Sequence, residues 1–156
     1  MKLTEEQIAE TNSELSAQAV YRELKQSNDF IGFARCFIFS TERHVARNAL
    51  WVLTKATDAE LAQLQGMFHE LTALAMQTGE SAVRRLSLNI VLRLKMEEED
   101  LRTDFLDFCL EHMMDVRELP GIQSLCLKLA FRMCQFYPEL MGELKRTLEA
   151  MEMDYY

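Results

Sequence analysis

Residues that break helices are scarce in this sequence. Five glycines and two prolines among 156 residues fall well below the roughly 12% that these two residue types reach in average proteins. Sandwiches and barrels need a tight turn after each short strand, and those turns rely on glycine and proline. The scarcity therefore argues against an all-β fold and favours helices joined by few turns.

Long apolar runs are missing as well. No stretch approaches the roughly 18 consecutive apolar residues of a transmembrane helix. The first ten residues, MKLTEEQIAE, become polar and acidic at once, unlike the apolar segment of a signal peptide. We therefore expect no membrane association and a cytoplasmic location.

Positive charge is in short supply. The chain has 25 acidic and 17 basic residues, a formal net charge of −8, and half of that charge lies in residues 79–118. This balance argues against a nucleic-acid binder that relies on bulk attraction to phosphate. It also predicts that a partner attracted by charge is basic.

Recognisable catalytic or cofactor motifs are lacking, because no GxSxG, P-loop or GxGxxG pattern occurs. Apolar neighbours surround all four cysteines and predict buried free thiols: Cys36, Cys109, Cys126 and Cys134. Cys109 and His112 are the nearest approach to a metal-binding pair, but a zinc site needs a larger convergent set. We assign no catalytic residue, no cofactor and no metal.

Helix signals begin at the N-terminus. Thr4 opens a capping-box pattern that predicts a helix from there to about Gln26. The apolar residues on or near one face of this helix are Ile8, Leu15, Ala19 and Leu24. Ser27 and Asn28 end it, and a second helix with an apolar face is predicted at residues 30–38.

From about residue 43 the sequence repeats itself. Three segments align at offsets of 37 and 39 residues: ARNALWVL (46–53), VRRLSLNIVLRL (83–94) and IQSLCLKLAFRM (122–133). A second apolar helix follows each segment and keeps the same offsets. Two helices that share one period are typical of a helical solenoid, in which each helix pair buries its apolar face against the next.

These segments resemble the first helices of HEAT-type or armadillo-type repeats. The resemblance implies an all-α protein, a right-handed α-α superhelix of about three to four antiparallel helix pairs, that serves as a protein-binding scaffold. We expect a single domain over residues 1–156. Its predicted parts are an N-terminal helix pair or cap at 4–40 and repeats at 43–78, 80–117 and 120–153.

Two groups of residues are candidates for partner binding. Three arginines recur near the start of the first repeat helices: Arg47, Arg84 and Arg85. The other group lies at the C-terminus, where it either covers the apolar face of the last repeat or offers it to a partner: Met151, Met153, Tyr155 and Tyr156.

The predicted function is that of a non-enzymatic scaffold or adaptor that binds another protein or a second copy of itself. The alternative is a helical-repeat protein that binds nucleic acid or a small ligand, related to the DNA-alkylation-repair glycosylases. That alternative calls for a basic groove containing a buried carboxylate and a tryptophan. A positive concave face would favour it, and a face of negative or mixed charge would oppose it.

Overall fold

Helices form all the secondary structure in the computed structural model, which describes residues 3–155 and their side chains as far as Ala150. The α-helices are α1 (Glu5–Ala9), α2 (Glu14–Ser27), α3 (Phe30–Phe37), α4 (Arg43–Leu53), α5 (Asp58–Leu61), α6 (Phe68–Gln77), α7 (Ser81–Arg93), α8 (Thr103–Met114), α9 (Pro120–Cys134) and α10 (Pro138–Tyr155). Two short 3-10 segments cover Ala62–Met67 and Glu98–Asp100. The predicted all-α fold class is confirmed.

Local side-chain chemistry sets several helix boundaries. The Thr4 hydroxyl accepts a hydrogen bond from the backbone N–H of Gln7 at 3.2 Å, so the predicted capping box at the start of α1 is confirmed. Asn28 has a left-handed conformation with φ of 56° and ends α2, as asparagine readily does. Pro120 and Pro138 begin α9 and α10, where the missing N–H costs little.

The prediction of one continuous N-terminal helix is wrong, because the chain forms α1 and α2 instead. The Ser13 hydroxyl accepts a hydrogen bond from the backbone N–H of Ser16 at 3.1 Å and starts a new helix. The break changes which residues face the core. Leu15 and Ala19 are exposed, and the buried residues of α2 are Ala17, Val20 and Leu24.

The second helix predicted after Asp58 is also interrupted. Residues Ala62–Met67 form a 3-10 segment between α5 and α6. Within that segment, the Gln65 side chain donates to the Lys95 carbonyl oxygen at 2.8 Å and accepts from the Lys95 N–H at 2.9 Å. The interruption thus places the Gln65 amide where it forms hydrogen bonds with both backbone polar groups of Lys95, just beyond the end of α7.

The chain divides after Lys95 into two compact units. In the first unit, α4 packs against α1, α2, α3 and α7. Most residues of α4 are buried: Val45, Ala46, Asn48, Ala49, Leu50, Val52 and Leu53. This helix therefore forms the centre of the first unit.

In the second unit α9 packs against both α8 and α10. The grouping of these helices into repeats stays a prediction.

The cysteines differ in their burial. Cys109, Cys126 and Cys134 are buried as free thiols, and burial raises the pKa of Cys109 well above its ordinary value. The prediction is wrong for Cys36, which is exposed. On α3 the buried stripe consists of Phe30, Phe33, Ala34 and Phe37, and Cys36 lies beside that stripe rather than on it.

Arg93 connects the end of α7 to the turn between α4 and α5 through hydrogen bonds and an ion pair. Its guanidinium donates to the carbonyl oxygens of Thr54 at 3.0 Å and Ala56 at 2.6 Å. It also forms an ion pair with Asp58, with 2.9 Å between Nη2 and Oδ1. One side chain thereby satisfies backbone carbonyls that follow a helix end.

We expect Arg93→Ala to lower the free energy of unfolding by about 1–3 kcal/mol, since hydrogen bonds to charged groups are among the stronger ones. Urea denaturation followed by circular dichroism measures the change. Arg117→Ala is the matched control, because the Arg117 side chain is 89% exposed. Equal stability of the two variants would contradict the role given to Arg93.

Candidate functional site

A groove opens between α4 and α7 in the first unit, beside the turn that joins α1 to α2. Its volume is about 280 Å³, and Thr11 and Asn12 of the turn line one side. The residues of the two helices that line it are Arg47, Asn48, Trp51, Ala82, Arg85 and Leu86. We call this cleft the α4–α7 groove.

The groove exists because α4 is buried on every side but one. Arg43, Arg47 and Trp51 are spaced four residues apart and share a face of the helix. Arg43 and Arg47 are exposed and Trp51 is half-buried. The central helix of the unit therefore presents two cations and the chain's single tryptophan on its one open face.

Asn48 holds the base of the groove together. Its side chain is 1% exposed, and its amide nitrogen donates to the carbonyl oxygens of Ile8 at 2.9 Å and Ala9 at 3.2 Å. Its amide oxygen accepts from Nε of Arg47 at 3.2 Å. A single amide thus attaches α1 to α4 and also orients the Arg47 guanidinium.

A charged pair lies at the far side of Trp51. The Lys55 ammonium is 5.3 Å from the centroid of the indole ring, within the range of a cation–π interaction. Lys55 also forms a hydrogen-bonded ion pair with Glu14 of α2. The hydrogen bond from Lys55 holds the pKa of Glu14 below its ordinary value. The positive charge of Lys55 is therefore already engaged by the protein.

The predicted arginines are placed differently. Arg47 and Arg85 lie on different helices and line the same groove. Arg84 donates instead to the carbonyl oxygens of Ala75 at 2.9 Å and Thr78 at 2.6 Å, next to the end of α6. The side chains of the four C-terminal candidates lie outside the described residues: Met151, Met153, Tyr155 and Tyr156.

Sequence reasoning missed Asn48. The sequence did contain a signal for a buried polar contact, because Asn48 is a polar, uncharged residue beside the apolar run of the segment ARNALWVL. In the repeat alignment it occupies the place that Arg85 holds in the second segment. Equivalent positions of the first two aligned segments thus contribute one buried asparagine and one exposed arginine to the same groove.

The groove offers contacts for binding. Within residues 3–150, the buried polar or charged side chains are those of Thr11, Asn48, Thr72 and Ser87, none of which is a carboxylate. The described residues also contain no group of three or more His, Cys, Asp or Glu side chains that could hold a metal ion. What the groove presents is guanidinium groups beside an indole ring.

Acidic residues limit the positive charge at both ends of the groove. Glu80 lines an adjoining cleft together with Arg43, His44 and Arg47. Glu14 lies at the other end, paired with Lys55. The face is therefore of mixed charge, with its positive character confined to the middle.

A tyrosine–carboxylate contact holds α2 against α5 near Lys55. The Tyr21 hydroxyl donates to Oε1 of Glu60 at 2.5 Å. This hydrogen bond, assisted by burial and by the negative charge of Glu60, raises the pKa of Tyr21 to about 12. Tyr21 therefore remains protonated over the range in which an ordinary tyrosine ionises.

Consecutive helices that pack against their neighbours are typical of a helical-repeat protein. The family described as HEAT repeat domain matches residues 4–156. The chain therefore belongs to the HEAT repeat family, as its repeats predict. No curated protein and no solved structure gives a significant match. No helix among the described residues is both long enough and apolar enough to cross a membrane.

We expect Asn48→Ala to destabilise the protein by about 1–3 kcal/mol, because two carbonyl oxygens of α1 lose a buried donor. Urea denaturation measures this loss. Asn89→Ala on α7 is the control, since Asn89 is only half-buried. A loss no larger than that of the control would show that Asn48 does not hold α1 in place.

We expect the stability advantage of the native chain over Tyr21→Phe to depend on pH. A group whose pKa rises on folding stabilises the protein fully below its unfolded pKa, near 10 for tyrosine. That contribution is lost as the pH rises towards about 12. Urea denaturation at several pH values between about 8 and 12 tests this. A difference that stays constant over this range would contradict the assignment.

Proposed function

We propose that the protein is a non-enzymatic scaffold that binds another protein through the α4–α7 groove. The observation that carries this proposal is the convergence of Arg47 and Arg85, from two different helices, beside Trp51. Tryptophan and arginine are among the residue types that are enriched at the energetically dominant positions of protein interfaces. Family membership supports the general role, since HEAT repeats form helical scaffolds that often take part in protein interactions.

The same groove is relevant to the alternative of a nucleic-acid or small-ligand binder. It contains arginines and a tryptophan, which that alternative requires. It lacks the third component, because no carboxylate is buried within residues 3–150. Glu80 and Glu14 also interrupt the positive surface that a phosphate backbone would follow. These features favour a protein ligand.

The two units differ in charge, which bears on the predicted basic partner. Residues 1–95 contain 11 basic and 11 acidic side chains, whereas residues 96–156 contain 6 basic and 14 acidic ones. All of the net negative charge thus belongs to the second unit. A basic partner surface would be attracted there rather than to the groove. The C-terminal candidates and self-association remain proposals for that unit.

We expect the double variant Arg47→Glu/Arg85→Glu to lose the protein partners that the native chain retains. Reversing both charges removes the guanidinium groups and repels any carboxylate that they contact. The measurement is native affinity capture with the tagged full chain, followed by quantitative mass spectrometry. The expected result is the loss of a defined set of proteins by at least about tenfold.

The matched control is Arg102→Glu/Arg117→Glu. It changes the net charge by the same amount, at two exposed arginines of the second unit that pair with Asp104 and Asp115. The control should retain the partner set. Equal capture by both double variants would overturn the groove as the binding site. Absence of any specifically retained protein, together with a monomeric mass by light scattering, would overturn the scaffold function itself.

A further inference from the structure

The two arginines of the groove have no acidic partner within the described part of the protein. Among the described side chains, no carboxylate lies within ion-pair distance of Arg47 or Arg85. Four other arginines do have such a partner: Arg35, Arg93, Arg102 and Arg117. The α4–α7 groove therefore contains two guanidinium groups whose charge no described carboxylate neutralises, in a chain with 25 acidic residues against 17 basic ones.

Arg47 is already oriented for such a ligand. Its Nε is bound to the Asn48 amide oxygen at 3.2 Å, and Asn48 is itself fixed by two carbonyl oxygens of α1. The terminal nitrogens of Arg47 have no hydrogen-bond partner among the described residues. Those nitrogens carry the N–H pairs that match the two oxygens of a carboxylate. Less conformational freedom is lost on binding when the guanidinium is held in advance.

The surroundings favour a short anionic group over a long polyanion. Glu80 lines the adjoining cleft on one side, and Glu14, paired with Lys55, lies on the other. A phosphate backbone running along the groove would meet these carboxylates, whereas a single acidic side chain would not. Trp51 and Leu86 add an apolar surface next to the arginines. An acidic residue with an apolar neighbour in a peptide matches both features.

Resting on the function proposed above, we infer that the α4–α7 groove takes an acidic, apolar-containing peptide segment of the partner protein. A carboxylate of that segment binds Arg47 and Arg85, and an adjacent apolar side chain packs against Trp51. The asparagine at the base of the groove acts as a positioning residue for Arg47. The partner is therefore recognised by an Asp- or Glu-containing segment.

The single tryptophan provides a direct measurement, because all tryptophan fluorescence of the chain arises in the groove. The probe is a tryptophan-free peptide of Glu, Ser and Leu, about ten residues long, titrated into the full chain. The matched probes replace every Glu with Gln or with Lys. A single-stranded oligonucleotide of about ten nucleotides is the remaining probe.

We expect the Glu peptide to change Trp51 fluorescence saturably below about 1 mM, and to bind more weakly as salt rises from about 50 to 300 mM. Arg47→Glu/Arg85→Glu should weaken this binding at least about tenfold, and Arg102→Glu/Arg117→Glu should leave it unchanged. Equal binding of the Gln peptide would overturn the inference. Tighter binding of the oligonucleotide, or no change in fluorescence up to about 1 mM, would also overturn it.

Competition separates this inference from the proposed function. Excess Glu peptide should displace the proteins that the native chain captures. If proteins are captured in an Arg47- and Arg85-dependent way but the Glu peptide neither binds nor displaces them, the scaffold function stands and the acidic ligand is wrong. If no protein is captured while the Glu peptide binds, the acidic-ligand site stands and the scaffold function is wrong.

Discussion

The burial of helix α4 is the constraint on which the first unit depends. Four other helices pack against it, and apolar or small residues occupy almost all of its buried surface. A helix so enclosed has little freedom to carry polar groups, since a buried polar group without a partner costs free energy. The one polar residue at its buried surface, Asn48, satisfies this condition through hydrogen bonds to the backbone of α1 and to Arg47.

This enclosure also decides where binding chemistry can lie in the unit. The open face of α4 is narrow, so Arg43, Arg47 and Trp51 are forced into one line. Helix α7 faces this line and contributes Arg85 and Leu86. The neighbouring arginine in sequence, Arg84, points elsewhere because successive helical residues differ by about 100° around the axis. Of these two consecutive residues, Arg84 therefore forms hydrogen bonds at the end of α6, and Arg85 lines the α4–α7 groove.

Periodicity was enough to predict most of the helices from residue 43 onwards, because they repeat the apolar spacing of their predecessors, but it did not predict the 3-10 segment Ala62–Met67. It was not enough near the N-terminus, where Ser13 starts a new helix within an apparently continuous pattern. The sequence identified Arg47 and Arg85 as candidates, since arginines lie near the start of the first two repeat helices. Their meeting in one groove depends on how α4 packs against α7. The role of Asn48 depends on carbonyl oxygens 39 and 40 residues away, which no local pattern encodes.

The attachment of α1 through Asn48 has a consequence for the α4–α7 groove. The Asn48 amide binds the end of this five-residue helix and also orients Arg47. The packing of α1 against α4 and the orientation of Arg47 in the groove are therefore thermodynamically linked. A ligand that prefers the oriented Arg47 would tighten the hold on α1, and anything that draws α1 away would weaken the ligand. So short a helix gains little stability from its own hydrogen bonds. Displacement of α1 would therefore remove the two hydrogen bonds that hold the Asn48 amide beside Arg47.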